Sequence, residues 1–317
     1  MLKLVMWLAG AILLLLGLVA AAIVWGGPKS IGAMESVNAP FKNVDYRALP
    51  PLQRFPARDG AALAYRHYAA TGTATGRRVV LIHGSSASTR SMHPLAQALA
   101  AAGFTVDALD VRGHGDSGTR GHIAYIGQLE DDVADFMKAS PAHGPSTLIG
   151  FSAGAGFVLR FSASDQVGLF DRYVLLAPFL IQAPTNRPNS GGWASVGIPR
   201  IVGLTVLNKF GITRWNDLRV TEFALNEEAK RFLTSGYSYA LATNFGAHLD
   251  YASDIRRAPA ALKLIVGVDD ELMFSDQYAA LFADGGKSVP ITLVPGANHI
   301  GMTLNTPALA AIVAASL

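Results

Sequence analysis

The sequence contains no cysteine among its 317 residues. Disulfide bonds, thiolate metal sites and cysteine nucleophiles are therefore excluded, whereas the absence of cysteine is compatible with any cellular compartment. Charged residues are also scarce: they make up 15% of the chain, while 50% is hydrophobic and the formal net charge is only +3. This composition excludes a disordered chain and gives no reason to expect a nucleic-acid partner. We expect a globular protein with a large core.

The N-terminal segment carries no charge between Leu4 and Trp25, a run of 22 residues. A helix of that length rises about 33 Å, which is enough to cross the hydrocarbon layer of a bilayer. The small residues at 20–22 also offer a cleavage site for a secretory signal peptide, but the run exceeds the roughly 7–15 apolar residues of such peptides. We therefore expect a single-pass membrane anchor over residues 1–26, with a secreted protein as the alternative if the segment is cleaved.

A linker is expected over residues 27–51, because this stretch is rich in Gly, Pro, Ser and Asn and lacks hydrophobic periodicity. Basic residues occur on both sides of the apolar segment, so their distribution does not decide its orientation. The segment resembles bacterial inner-membrane signal anchors, which leave the following domain outside the cytoplasm. That resemblance implies an anchored protein whose residues 52–317 form an extracytoplasmic domain.

From residue 52 onward, apolar runs alternate with helical patterns. The runs at Arg78–Ile82, 146–149 and 262–266 are apolar at most positions, which is typical of strands buried on both faces of a parallel sheet. This alternation predicts an α/β fold with a doubly wound, mostly parallel sheet. Between residues 178 and 259 the alternation stops, and only helices near 202–210 and 227–234 are expected there. This interruption predicts an inserted cap over the C-terminal ends of the strands, where ligands bind in such sheets.

The pentapeptide Gly150-Phe151-Ser152-Ala153-Gly154 lies between a predicted strand and a predicted helix. A turn this tight strains the serine backbone and leaves no room for side chains at the two glycine positions. It also holds the serine hydroxyl at a helix N-terminus, where the helix dipole favours developing negative charge. With 32 glycines in the chain the pattern alone is weak, but its place between strand and helix predicts a nucleophile.

A serine nucleophile needs a base to take its proton and a carboxylate to orient that base. Residues 294–299 read as a strand end, a turn and then His299, and residues 267–271 read as Gly-Val-Asp-Asp-Glu after another strand. Taken singly, His299 is compatible with a surface residue and the acids with a helix N-cap. Because all three residue types follow successive strands in the order serine, acid, histidine, we expect a catalytic triad.

The sequence from about residue 52 to residue 317 resembles the α/β-hydrolases of the serine hydrolase type. Within that superfamily it is most similar to the branch of lysophospholipases, monoacylglycerol lipases and serine aminopeptidases. The resemblance is carried by five segments that follow predicted strands: His83-Gly84, 110–117, 150–154, 267–270 and 295–299. It implies the α/β-hydrolase fold with a cap insertion at about 178–259, and hydrolysis through a covalent acyl-enzyme.

The resemblance assigns a role to each predicted triad residue. Ser152 would be the nucleophile, and His299 would be the general base and then the general acid. The carboxylate would be Asp270, which fixes the imidazole tautomer and stabilises the imidazolium without accepting the proton. Asp269 and Glu271 are neighbours of Asp270 in the sequence, and they remain open as alternatives.

The resemblance also implies an oxyanion hole made of backbone N–H groups. The donors would be Ala153 and Ser85, with Ser86 as the alternative to Ser85. Removal of one such donor typically costs about 100–1,000-fold in rate, so their placement matters as much as the triad. His83 and His114 would organise the loops near the site by hydrogen-bonding backbone groups.

The substrate is expected to be a hydrophobic or lipid-like carboxylic ester, because an apolar insertion and a membrane anchor occur together. Apolar residues that could line an acyl pocket, contact the bilayer or pack the insertion are Leu180, Ile181, Trp193, Val196, Ile198, Ile201, Val202, Leu204, Val206, Leu207, Phe210, Ile212 and Trp215. One alternative is a serine aminopeptidase, whose substrate ammonium would need a carboxylate from Glu222, Glu227, Glu228 or Asp250. Another is a non-catalytic relative that only binds ligands. No metal or other cofactor is expected, since no histidines or acids show ligand spacing on one element.

Overall fold

The computed structural model describes residues 2–34, 41–188 and 192–317. Its strands, numbered in chain order, are β1 (Leu52–Pro56), β2 (Ala62–Tyr68), β3 (Arg78–Ile82), β4 (Thr105–Leu109), β5 (Ser146–Phe151), β6 (Arg172–Leu176), β7 (Ala194–Val196), β8 (Arg219–Phe223), β9 (Gly236–Ser238), β10 (Leu262–Gly267) and β11 (Ile291–Val294). Its α-helices are α1 (Leu2–Trp25), α2 (His93–Ala101), α3 (Gln128–Ala139), α4 (Ala153–Ser162), α5 (Ile198–Lys209), α6 (Tyr239–Asn244), α7 (Tyr251–Arg257), α8 (Tyr278–Asp284) and α9 (Thr306–Ser316).

The main sheet has the strand order β1-β2-β4-β3-β5-β6-β10-β11. Strand β2 runs antiparallel to β1 and β4, and the other neighbours pair in parallel. Strands β3 and β5 are buried at every position. Because successive side chains of a strand point to opposite faces, helices and loops must cover both faces of the sheet centre. The mostly parallel, doubly wound α/β sheet expected from the alternation is confirmed.

The parallel strands place the loops that carry the site at one edge of the sheet. Strand β5 ends at Phe151, directly before Ser152, while β10 ends at Gly267 and β11 at Val294. The carboxyl ends of parallel strands meet at the same sheet edge, which is where such folds bind ligands. Residues far apart in sequence are thereby brought next to each other.

The chain between β6 and β10 builds a second unit over this edge, with the antiparallel sheet β7-β8-β9 and helices α5, α6 and α7. The helix predicted near 202–210 is α5, which begins earlier because Pro199 suits the first turn of a helix. The prediction of a helix near 227–234 is wrong, because this stretch contains only a short 3-10 turn, Ala229–Arg231. Hydrogen bonds to distant backbone, such as Thr234 N–H to Ser86 O, override the local helical pattern. Residues 189–191 of the expected cap lie outside the described residues.

The N-terminal helix α1 has the length and composition of a membrane span, with a mean hydropathy of 2.6, although a signal sequence would meet the same criteria. The predicted linker that follows is described at 27–34 and 41–51, whereas its residues 35–40 lie outside the described residues. The described parts lie on the protein surface. Met34 N–H donates to Ala224 O, and the Tyr46 ring stacks on His93 with centroids 5.9 Å apart.

Candidate active site

Ser152 occupies the tight turn between β5 and α4. Its backbone has φ of 55° and ψ of −117°, a conformation that costs energy for any residue other than glycine. A Cβ on Gly150 would lie 2.2 Å from Gly154 O, and one on Gly154 would lie 2.2 Å from His83 O. Both positions of the turn therefore require glycine, which is the physical reason for the spacing seen in the sequence.

The hydroxyl of Ser152 is hydrogen-bonded to His299, which in turn is hydrogen-bonded to Asp270. The distance from Ser152 Oγ to His299 Nε2 is 3.0 Å, and that from His299 Nδ1 to Asp270 Oδ2 is 2.8 Å. A carboxylate can only accept, so Nδ1–H donates to Asp270 and Nε2 is left to accept the serine proton. All three residues are buried, which strengthens the hydrogen bonds by excluding water.

The structure distinguishes the three adjacent acids that the sequence left open. The second carboxylate oxygen of Asp270 accepts the backbone N–H groups of Leu272 and Met273, at 2.9 Å each, so this side chain is fixed in place. Glu271 accepts the backbone N–H of His299 at 2.8 Å and not a ring nitrogen. Asp269 is exposed. Only Asp270 is placed to orient the imidazole.

The loop after β3 offers the second candidate donor for an oxyanion hole. His83 Nδ1–H donates to Gly84 O at 2.8 Å, and that carbonyl belongs to the same peptide unit as the N–H of Ser85. Since C=O and N–H point in opposite directions in a trans peptide, this bond turns the Ser85 N–H away from His83. In the described part of the chain, neither this N–H nor that of Ala153 has a hydrogen-bond acceptor. The N–H of Ser86, the alternative donor, donates to the Tyr237 hydroxyl and is therefore not free.

Tyr237 on β9 connects the insertion to this loop. Its hydroxyl also lies 2.7 Å from His114 Nε2. Burial and the neighbouring His83 hold the pKa of His114 well below its ordinary value, so this ring is neutral. Its Nε2 therefore accepts a hydrogen bond from the Tyr237 hydroxyl. Burial raises the pKa of Tyr237, which keeps its hydroxyl protonated. The bonds run in one direction, from Ser86 N–H to Tyr237 and from Tyr237 to His114.

Thr234 makes two further bonds to the same loop. Its N–H donates to Ser86 O at 2.8 Å, and Ser86 Oγ donates to Thr234 O at 2.7 Å. Together with Tyr237 these bonds hold Ser86 at a φ of 64°, in the left-handed region that non-glycine residues rarely adopt. Sequence reasoning missed Thr234 and Tyr237, because partners about 150 positions apart leave no local pattern.

A cavity of about 400 Å³ opens beside Ser152 and His299. Its walls come from the loop after β3, the insertion and the N-terminal segment, and they include Met34, Phe41, Tyr46, Ser85, Phe151, Trp193, Ala229, Phe232, Leu233, Leu272 and Ile300. Of the apolar insertion residues considered from the sequence, Trp193 contributes to the lining. Several others, including Ile198, Val202 and Phe210, are exposed at the surface. The N-terminal contribution to the wall had no signal in the sequence.

Comparison with known proteins agrees with this architecture. The family model described as serine aminopeptidase, S33, matches residues 73–302, which is well over half of the chain. The chain belongs to this family. The α/β-hydrolase fold of the serine hydrolase type, expected from the sequence, is thereby confirmed.

Among curated proteins, a monoacylglycerol lipase of Mycolicibacterium smegmatis is 37% identical over 106 residues, which are 32% of this chain and 37% of that protein. The match thus spans well under half of the relative. Among solved structures, a soluble variant of monoglyceride lipase from Saccharomyces cerevisiae, in complex with a substrate analogue, gives a TM-score of 0.63 at 18% identity, covering 86% of this chain and 95% of that one. A monoacylglycerol lipase from Paleococcus ferrophilus gives 0.57 at 21% identity, covering 80% and 99%. At these identities the two structures show the shared fold.

Proposed function

We propose that the protein is a carboxylic ester hydrolase that acts on hydrophobic, lipid-like esters through Ser152, His299 and Asp270. The observation that carries this proposal is the buried row of hydrogen bonds from Asp270 through His299 to Ser152, which ends at a largely apolar cavity. The membership in a hydrolase family and the partial match to a monoacylglycerol lipase support the same reaction class.

The geometry supports a two-step acyl transfer. Ser152 Oγ attacks the ester carbonyl while His299 Nε2 takes its proton, and Asp270 stabilises the imidazolium that forms. The carbonyl oxygen becomes an oxyanion that accepts the free N–H groups of Ser85 and Ala153. His299 then gives the proton to the leaving alcohol, which departs and leaves an acyl-serine. A water molecule, deprotonated by His299, attacks that ester. His299 returns the proton to Ser152 Oγ as the acyl–oxygen bond breaks, which releases the acid and restores the serine.

The walls of the cavity support an acyl chain as the bound group. Aromatic and aliphatic side chains such as Phe41, Phe232 and Leu233 lie along it, and its volume falls within the usual range for small-molecule sites. The lining also includes polar and charged residues, among them Ser152, His299, Arg90 and Glu228. An extended apolar acyl group would bury its chain there and leave the ester at Ser152.

A second candidate function, cleavage of an N-terminal amide, is favoured by one observation. Of the four carboxylates that could hold a substrate ammonium, Glu228 lines the cavity. Glu222 is paired with Arg219 and Glu227 with Lys230 at the surface. An aminopeptidase would use Glu228 to bind the N-terminal ammonium of a substrate whose side chains are uncharged. Glu228→Gln would then raise KM for aminoacyl amides and leave KM for acyl esters unchanged.

The experiment that tests the proposal is fluorophosphonate labelling of the full chain in detergent, compared with Ser152→Ala. We expect labelling of the wild type and its loss in the variant, followed by turnover of p-nitrophenyl acyl esters well above that of aminoacyl p-nitroanilides. A wild-type protein that folds, as judged by circular dichroism, but takes no label would refute the activated serine. Faster cleavage of the anilides would instead favour the peptidase.

We also propose the membrane arrangement expected from the sequence. Residues 1–26 would anchor the protein in the membrane, and residues 27–51 would link this anchor to the catalytic domain. Residues 52–317 would form that domain, with its cap at about 178–259. The exposed apolar surface of α1 supports anchoring, and an extracytoplasmic domain in a bacterial inner membrane is the expected topology. If the segment is cleaved, the same domain would be secreted. Protease protection of the domain in spheroplasts and right-side-out vesicles tests the topology.

A further inference from the structure

The last turns of α1 pack against α5 of the insertion. Ile23 is buried there and forms an apolar cluster with Leu204, and Val19 packs against the same cluster. The approach is close at Gly203, where a Cβ would lie 2.8 Å from Ile23 Cγ1. By contrast, residues 2–18 of α1 are all exposed. The helix therefore has a free part and a docked part.

Arg200 of α5 fastens the docked end of α1. Its Nε donates to Ile23 O at 2.7 Å, its Nη2 donates to Val24 O at 3.0 Å, and its backbone N–H donates to Gly26 O at 3.2 Å. The last carbonyls of a helix have no partner within the helix, and a cation there also complements the helix dipole. Helices α1 and α5 are thus joined by specific bonds and not only by the chain between them.

The length of α1 sets the depth of this contact in a bilayer. The 24 residues of the helix rise about 36 Å, whereas the hydrocarbon layer is about 30 Å thick. Counted from Leu2, that thickness is crossed by about residue 21. The contact of Ile23 with α5 then falls at the far boundary of the hydrocarbon layer, where headgroups begin.

The opposite side of α5 presents an apolar surface that nothing in the described residues covers. Ile198 is 58% exposed, Val202 is 55% exposed, and Phe210, directly after the helix, is 78% exposed. Two exposed basic residues, Lys209 and Arg214, lie beside this surface in the sequence. Apolar side chains bordered by cations are typical of helices that lie in the interfacial layer of a bilayer.

We propose that α5 is an interfacial membrane helix that α1 holds in the headgroup layer where it leaves the bilayer. Ile198, Val202 and Phe210 are inserted at the boundary of the acyl chains, and Lys209 and Arg214 contact anionic headgroups. The occupant of the surface is lipid because α1, as it leaves the bilayer, holds α5 at the depth of the headgroups. The proposal depends on α1 crossing the bilayer and is independent of the catalytic assignment.

The absence of cysteine makes a direct test possible. The full chain is reconstituted in vesicles of phosphatidylcholine and phosphatidylglycerol as three single-cysteine variants, Val202→Cys, Leu13→Cys and Leu293→Cys, each carrying the fluorophore nitrobenzoxadiazole. Leu13 lies in the free part of α1, and Leu293 is a 44% exposed residue of the edge strand β11. We expect lipid-borne doxyl groups to quench the labels at 202 and 13 at least about two-fold more than the label at 293. Aqueous iodide is expected to quench mainly the label at 293.

Three outcomes would overturn the proposal. A label at 202 that iodide reaches as easily as the label at 293 would show that α5 lies in water. A label at 202 protected from both quenchers would show that a protein surface, such as a second copy of the chain, covers it. A label at 13 that doxyl lipids do not quench would show that α1 does not enter the bilayer.

The role of α1 in holding α5 is tested by Arg200→Met, which removes the bonds to Ile23 O and Val24 O but keeps an apolar stem. We expect doxyl quenching at position 202 to fall while quenching at position 13 is unchanged. Unchanged quenching at both positions would show that α5 reaches the membrane without the hydrogen bonds from Arg200 to α1. Activity on a soluble p-nitrophenyl ester serves as the control for folding, because Arg200 lies outside the cavity.

Discussion

The main sheet and the insertion meet at the Ser152 cavity, but they fix their side chains in different ways. In the main sheet, Ser152, Asp270 and His299 each follow a strand closely in the chain, so the strand end places the residue. In the insertion, Tyr237 and Thr234 reach the site through hydrogen bonds to Ser86, which is about 150 positions away in the sequence. One region places residues through local connectivity and the other through long-range contacts.

The difference separates two tasks. In the proposed mechanism the main sheet supplies the reacting groups, which parallel strands bring to one edge whatever covers them. The insertion and the N-terminal segment supply part of the cavity wall, and the insertion also holds the loop that carries Ser85. We therefore expect changes in the main-sheet loops to abolish the chemical step, and changes in the covering regions to alter its rate or its substrate range.

The largest effect should come from Asp270→Asn in the main sheet. An asparagine amide at this place can donate to His299 Nδ1, which stabilises the wrong tautomer and leaves Nε2 protonated. We expect kcat on a p-nitrophenyl ester to fall on the order of 1,000–10,000-fold with little change in KM. The measurement is steady-state kinetics of the purified full chain, with circular dichroism to show that it folds.

Asp269→Asn is the matched control, since this neighbouring acid is exposed and makes no bond to the ring. Its kcat should equal that of the wild type. A large loss in Asp269→Asn with full activity in Asp270→Asn would move the acid of the triad by one residue and contradict the observed geometry.

The sequence predicts which main-sheet residues lie together at the strand ends, because buried strands leave apolar runs and tight turns demand glycine at Gly150 and Gly154. It does not choose between Asp269 and Asp270, since the direction of a side chain after a strand depends on the loop conformation. It is also silent on Tyr237, whose partners belong to other elements. A helical pattern at 227–234 was misleading for the same reason, because tertiary hydrogen bonds determine the backbone there.

A smaller effect is expected for Tyr237→Phe, which tests whether the insertion positions the Ser85 N–H. The ring would still pack, but Ser86 N–H would lose its acceptor and His114 Nε2 its donor. One buried hydrogen bond contributes about 1 kcal/mol, so we expect kcat to fall about ten-fold or less with KM unchanged. A loss shown by kcat alone indicates a weaker oxyanion hole and not poorer substrate binding.

Tyr239→Phe is the matched variant for this test. Tyr239 is also a buried tyrosine of the insertion. Its hydroxyl lies 2.9 Å from Thr205 Oγ1, which belongs to α5 and not to the loop after β3. Both variants should lower the melting temperature similarly, yet only Tyr237→Phe should lower kcat. Equal kcat values in the two variants would show that Tyr237 has only a structural role.

The smallest effect should come from Phe41→Ala in the N-terminal segment. Phe41 lines the cavity far along the chain from the triad, so its removal takes apolar contact from a bound acyl chain and leaves the reacting groups in place. We expect kcat/KM for long-chain p-nitrophenyl esters to fall about five-fold, corresponding to the loss of about one buried methylene contact, with no change for the acetate ester. The exposed Leu249→Ala, outside the cavity, should change neither. An equal loss on all chain lengths would mean that the segment supports the catalytic loops, and the division of tasks between the covering regions and the main sheet would then fail.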